Sequence, residues 1–366
     1  MGATFGKTPM PRSGPASLLL CGYYGEHNLG DDALLQVLLQ GLPGSSSLMI
    51  TAHDQAEVQG MAPLACIVNR RSLRASLIAV LQADVLILGG GSLLQDSTSF
   101  RSLIYYLLLI ALARLRRRRV VLWGQGLGPL RRSMSRWLVR CALPFCTAAS
   151  WRDQASLRLA QAWAPNLPMC MAADPVWQMP SQPWVGGGDI VLSWRPTDLL
   201  DGPRWQRLLH ALDSVAASLD VSVCWMAFHQ HQDGPLLDAL VAQKLVPAKL
   251  LARSTTVIPR SLDHVFELVS TARLVLPMRL HALILARLVG CPMAALSYDP
   301  KVDAAAEMAQ VPCTRLNDLP STDHLAAQWM AEADQEADRA VIQRIQSDAS
   351  AHGELLRRWI NPNAVG

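Results

Sequence analysis

Residues 83–99 read ADVLILGGGSLLQDSTS. Val85 to Leu88 form an unbroken apolar run between Asp84 and three glycines, the pattern of a short strand buried on both faces. Such strands belong to parallel sheets covered by helices. Gly89, Gly90 and Gly91, followed by Ser92, then expose backbone N–H groups at the strand's carboxyl end, where an anion or a sugar can lie close. The plainer alternative is a strand-to-helix turn. Working outward, the same rhythm recurs. Strands are expected at 17–21, 48–52, 84–88, 120–123 and 148–151, with helices at about 32–40, 72–82, 102–115, 133–141 and 153–162. Alternation of this kind predicts an α/β fold with a parallel sheet.

Residues 179–188, MPSQPWVGGG, interrupt the alternation with Pro and Gly and read as a linker. It then restarts, with strands expected at 190–194, 221–226, 274–276 and 293–296 and helices at 204–219, 236–243, 262–271 and 281–289. The expected division is a loose leader 1–16, a domain 17–180, a linker 181–188, a domain 189–325 and a helical tail 326–366 packing across both. Two Rossmann-like, doubly wound domains would face a central cleft lined by strand-end loops.

The chain has 366 residues, 51% of them hydrophobic and 17% charged, enough for two buried cores. A net charge of +4 is too balanced to imply a nucleic-acid partner. The longest apolar run, LIYYLLLIALA at 103–113, falls short of the roughly 20 residues that span a bilayer. Arginines follow it at 114 and 116–119, and again at 131, 132, 136 and 140. They read either as solvated helix ends or as a basic surface for an anionic membrane. Eight cysteines without C-x-x-C spacing fit a reducing, cytoplasmic setting.

Several strand-end loops carry chemistry. GYYGEHNLGDD at 22–32 offers Gly25 and Gly30 for tight turns, Asn28, and two acids. Its spacing is not that of a dinucleotide fingerprint. Asp31 or Asp32 is either a general base or the helix cap. GQGLGP at 124–129 repeats the glycine design. Arg152 follows a strand and can grip a carboxylate or phosphate. Asp174 and Arg195 also sit at expected strand ends. Arg279 and His281 flank a helix start, where the dipole favours anions, and Lys301 follows the next strand. His229, His231 and Asp233 hint at metal ligation but lack a convincing further ligand, so no metal is expected.

These segments together resemble the polysaccharide pyruvyl transferase family, in particular its cell-wall-anchoring branch. The carrying stretches are GYYGEHNLGDDALL, ADVLILGGGSLLQDSTS, VVLWGQGLGP, SWRDQAS, ADPVW and MRLHALILARLVGCPMAALSYDPKV, in the family's order over about 18–305. Gly30-Asp31-Asp32 stands where the family has Gly-Asp-Glu. The resemblance implies a GT-B-like fold and transfer of a pyruvyl group from phosphoenolpyruvate, a co-substrate, to a sugar as a ketal. No metal, nucleotide or other cofactor is required.

By this resemblance Arg152, Arg279, His281 and Lys301 would bind phosphoenolpyruvate, His281 donating a proton to the enol or a hydrogen bond to its phosphate. Asp31 would take a proton from the acceptor. Gly25, Asn28, Gly30, Asp31, Gly90, Gly91 and Ser92 would form the acceptor side. The acceptor implied is a lipid-linked saccharide precursor bearing N-acetylmannosamine, with peripheral contact at the inner face of the plasma membrane through 114–119. Two rivals share the architecture: a glycosyltransferase using a nucleotide sugar, with Glu267 its only visible ribose-binding acid, and a non-enzymatic sugar-binding protein.

Overall fold

The computed structural model describes residues 16–44, 46–180, 182–335 and 337–360, so the leader lies outside the described residues except for Ala16. Seven parallel strands form the first sheet: β1 (Ser17–Cys21), β2 (Ser47–Ala52), β3 (Cys66–Asn69), β4 (Val85–Gly91), β5 (Arg119–Gln125), β6 (Ala148–Trp151) and β7 (Met169–Met171). Their order is β3-β2-β1-β4-β5-β6-β7. Alternate residues feed opposite faces, as the strand period requires. Leu18 and Leu20 join one apolar cluster, Leu19 and Cys21 the other. β4, flanked by β1 and β5, is buried along its whole length.

The second sheet repeats the plan with β8 (Ile190–Ser193), β9 (Val223–Met226), β10 (Ser254–Val257) and β11 (Leu274–Pro277), in the order β10-β9-β8-β11. A parallel bridge between Val275 and Met293 leads toward a short pair, β12 (Ala295–Ser297) and β13 (Cys313–Arg315). Both halves therefore begin as doubly wound sheets, with functional loops at the carboxyl ends. The expected α/β architecture holds.

The halves share an apolar core. Helix Leu29–Gln40 packs one face of the first sheet and meets helices Leu262–Thr271 and Leu280–Val289 of the second half. Each fully buried Leu or Phe in that seam contributes about 1.5–3 kcal/mol. Trp184 of the expected linker donates its indole N–H to Ala272 O at 2.8 Å, which pins the connection to the second half.

The end of the chain does not behave as one tail. Helix Thr322–Glu332 packs on helix Gly202–Leu219, and its Trp329 is fully buried near Trp194. The expected border at 325/326 falls inside this helix, because Leu325 and Trp329 both belong to the second half's core. Helices Arg339–Ala349 and Ala351–Ile360 then cross back. Asp348 accepts from Ala173 N at 2.6 Å, and Arg119 donates to Trp359 O at 2.9 Å.

Candidate functional site

β1 runs into the loop 22–28, and the helix after it starts at Leu29, earlier than its sequence suggests. Asn28 is the reason. Its Oδ1 accepts from Gly30 N at 3.3 Å while its amide donates to the Asp31 carboxylate. Asn28 is thus the cap, and Asp31 is left in the first turn with its carboxylate facing Gly91. Burial pushes the Asp31 carboxyl up to about 6, against His281, Asn28, Arg152 and Arg70, which all pull it down. Asp32 points elsewhere: burial, then Glu57 and Asp31, lift it to about 8.

The glycines do different jobs. A Cβ on Gly30 would lie 2.1 Å from His281 Nδ1, so only glycine lets the second half's imidazole approach this helix. Gly90 and Gly91 have φ of +68° and +80°, which turns β4 sharply and delivers Ser92. Gly25, expected on the acceptor side, instead lies against the Asp54 backbone, where its Cβ would come within 2.6 Å of a carbonyl oxygen. It shapes the loop and lines neither cavity described below.

Ser92 joins the halves. Its hydroxyl oxygen accepts from Lys301 Nζ at 2.8 Å and from Arg152 Nη2 at 3.2 Å. Arg152 also donates through Nη1 to Asp174 Oδ2 at 2.8 Å, and His281 Nε2 lies 3.5 Å from that oxygen. Burial opposes the charge on Asp174, but His281 and Arg152 outweigh it and hold the carboxyl well below the usual range. Lys301 forms no ion pair among the described residues. Its burial and the neighbouring Arg152 charge lower its pKa. Arg279 is gripped by Asp233 through Nη2 and through Nε at 3.1 Å, with Gln232 Oε1 at 3.0 Å.

These groups line two adjoining cavities. One of about 220 Å³ is bordered by Arg152, Arg279, His281, Lys301 and Tyr298. The other, about 290 Å³, is bordered by Asp31, Arg70, Tyr106, Arg195 and His229. Asn28, Ser92 and Arg279 border both. The first is a cationic chamber and the second a mixed polar one. A main-chain seam runs beside them: Asn28 and His229 form an antiparallel bridge, with Leu29 N donating to Phe228 O at 3.2 Å.

Sequence reasoning singled out Arg152, Arg279, His281, Lys301, Asn28, Asp31 and Ser92, and the fold brings all of them to this cleft. It did not find the partners. Asp174 had only its strand-end position to mark it, and Asp233, weighed as a metal ligand, is spent on Arg279. Arg70, paired with Glu26 and lying 4.2 Å over the Tyr23 ring, was missed because the short, half-exposed strand before it, CIVN, was not read as a strand. Glu267 is exposed and borders neither cavity, so the ribose-binding candidate of the nucleotide-sugar reading falls away.

One group of possible metal ligands stands outside these two cavities: His27, Asp54 and Glu57 bring ligand atoms within 4.8 Å of one another. The two imidazole nitrogens lie 3.7 and 3.4 Å from the Asp54 and Glu57 carboxylates.

No curated protein matches the chain. Solved structures match its fold over nearly their full length. The UDP-GlcNAc 2-epimerase of Methanocaldococcus jannaschii aligns with TM-score 0.60 at 9% identity, covering 93% of this chain and 98% of that one. The S. aureus MnaA–UDP structure gives 0.61 at 9%, covering 94% and 95%. The calicheamicin glycosyltransferase CalG4 gives 0.52 at 12%, covering 94% and 96%. At such identity they establish the GT-B-like fold alone. The profile described as polysaccharide pyruvyl transferase matches residues 28–300, from the Asn28 cap to the start of the Lys301 helix. With three quarters of its length matched, the chain belongs to the polysaccharide pyruvyl transferase family.

Proposed function

We propose that the protein transfers the pyruvyl group of phosphoenolpyruvate to two hydroxyls of a sugar, forming a cyclic ketal and releasing phosphate. The observation that carries this reading is the convergence of Arg152, Arg279, His281 and Lys301 on one small chamber in which Lys301 forms no ion pair with a carboxylate among the described residues. Arg152 Nε is buried without a hydrogen-bond partner among the described residues, and His281 Nε2 has only the Asp174 carboxylate, at 3.5 Å. A small ligand bearing both a carboxylate and a phosphate would satisfy them.

In the reaction, a proton adds to the terminal enol carbon and leaves an oxocarbenium centre at C2. An acceptor hydroxyl attacks it, the C2–O bond to phosphate breaks, and a second hydroxyl closes the ketal. The two hydroxyl protons are balanced by one on the new methyl group and one on phosphate. His281 is the acid beside the donor, and Asp31, in the adjoining cavity, takes the hydroxyl proton. Arg152, Arg279 and Lys301 hold the anions and stabilise the departing phosphate. Asn28 and Ser92 form the acceptor wall, while Gly30, Gly90 and Gly91, expected on that side, border neither cavity and act by shaping the loops that place them. The acceptor in this reading is a lipid-linked saccharide carrying N-acetylmannosamine.

The test offers phosphoenolpyruvate with a panel of free and lipid-linked sugars, and follows phosphate release alongside acceptor mass. Equal release of phosphate and gain of one pyruvyl group is expected. Turnover of nucleotide sugars without consumption of phosphoenolpyruvate would overturn it.

A further inference from the structure

Three helices, Leu73–Gln82, Phe100–Leu115 and Ser133–Ala142, lie side by side over the face of the first sheet opposite helix Leu29–Gln40. Their inner sides carry buried residues such as Leu103, Leu109 and Val139. The outer side of a surface helix is ordinarily polar. Here it is not. Leu115 is 79% exposed, Trp137 63%, Met134 62% and Phe145 53%. Helical spacing places Met134, Trp137 and Cys141 along one side of their helix, and Leu108, Ala111 and Leu115 along one side of theirs.

The charge around this surface is one-sided. Residues 97–152 contain eleven arginines and no Asp, Glu or Lys, so the rest of a chain of net +4 is net negative. Not all of these arginines are available. Arg118 pairs with Asp84, Arg119 binds the Trp359 carbonyl, and Arg152 belongs to the cleft. The segment 114–119 therefore supplies only part of the surface. Arg114, Arg116, Arg117, Arg131, Arg132 and Arg140 are exposed. A polyanion such as nucleic acid would use the arginines but leave the exposed Trp, Met and Leu in water. An anionic bilayer uses both, with aromatic and aliphatic side chains in the interface and guanidiniums on the head groups. No helix among the described residues is long and apolar enough to cross a membrane.

We infer that this helical layer docks on an anionic lipid bilayer, and that helix Phe100–Leu115 links the docked surface to the acceptor cavity. Ser102 and Tyr106 border that cavity, while Leu108 and Leu115 of the same helix face outward. A lipid-linked acceptor would then be offered along the helix from membrane to site, a consequence that rests on the proposed function; the docking itself does not.

The experiment sediments the full chain with vesicles of phosphatidylcholine alone, or with about three-tenths phosphatidylglycerol, at low and high salt. Binding is expected only to the anionic vesicles, and is expected to weaken with salt. The variant Met134→Ser/Trp137→Ser/Phe145→Ser and the variant Arg131→Gln/Arg132→Gln/Arg140→Gln should each bind roughly tenfold less. Both should keep the wild-type unfolding midpoint and consume phosphoenolpyruvate normally with a water-soluble acceptor. Equal recovery on both vesicle types, or undiminished binding of either variant, would overturn the inference. So would a dimer by sedimentation equilibrium that the Met134/Trp137/Phe145 variant dissolves, since the surface would then be covered by a second copy. Vesicle binding is read without substrate, so its failure and that of the pyruvyl reading are separately visible.

Discussion

In the first half, the loops after β1, β4 and β5 are built on glycine; in the second, the loops after β8, β11 and β12 bring Arg195, Arg279 with His281, and Lys301. The two sheets start from one topology, but their strand ends carry different chemistry. Glycine loops provide space and backbone donors, which suits a neutral, hydroxyl-bearing acceptor. The second half provides charge, which suits an anionic donor. The division is not clean: Asp31 and Arg70 of the first half also border the cleft, and Ser92 accepts from Lys301 across it. Arg152 and Asp174 come from the first half, and Asp174 reaches His281 in the second. The buried Asp174 carboxylate, held by Arg152 and facing His281, is one of the places where the two halves become one site.

The sharpest way to break the comparison is to remove the second half's titratable group. His281→Ala should lower transfer by about a hundredfold or more while circular dichroism and unfolding stay as in the wild type; a near-normal rate would take His281 out of the chemistry. Next is the Asp174 carboxylate. Asp174→Asn leaves Arg152 buried without its carboxylate, at a cost of about 3 kcal/mol measured by denaturant unfolding. The Asp174 carboxyl is depressed in the folded state, so its stabilisation is present above the ordinary carboxylate range and is lost as pH falls toward the lowered value. The gap between wild type and variant should therefore shrink on acidification. A pH-independent gap would mean that the loss is one of packing.

The first half's acid gives a smaller and graded effect. With Asp31 lifted to about 6, its carboxylate is lost below that pH, and kcat/KM should fall about tenfold per pH unit there. Asp31→Asn should remove that limb as well as lowering the plateau; persistence of the limb would assign it to another group. The smallest effect is expected at Asp32, lifted to about 8 by burial first. A raised acid favours the folded state at low pH and loses that contribution as pH rises from about 4, its unfolded value, through its folded value. Asp32→Asn should then raise the unfolding temperature by a few degrees at alkaline pH and by nothing at acid pH. A constant difference would refute the titration.

The strands legible in the sequence were those buried on both faces: β1, β4, β5, β6, β8 and β11 all show compact apolar runs. The four that were missed, β3, β7, β10 and β13, are all edge strands of three or four residues, partly exposed as in the Ser254–Val257 stretch STTV. An edge strand is held mainly by its neighbour's hydrogen bonds, which composition does not report. The same limit applied to the site. Cations at strand ends could be read because each follows a recognisable strand. Asp174 and Asp233 matter through whom they touch, 22 and 46 residues away in sequence, and that is a property of the folded chain alone. The cap was misread for a local reason: Asn, Asp and Asp stand within five residues, all good caps, and only the geometry of Asn28 decides.

The seam between Asn28 and His229 bears on how such a protein can be rebuilt. Two doubly wound halves joined by a linker invite recombination, one relative's acceptor half with another's donor half. Here the edge of one half is written partly in the other's backbone, and Gly30 must stay bare for His281 to fit. A working hybrid would have to carry the loop around Asn28 and the loop around His229 as a matched set, so the natural unit of exchange is not the domain but the pair of loops across it.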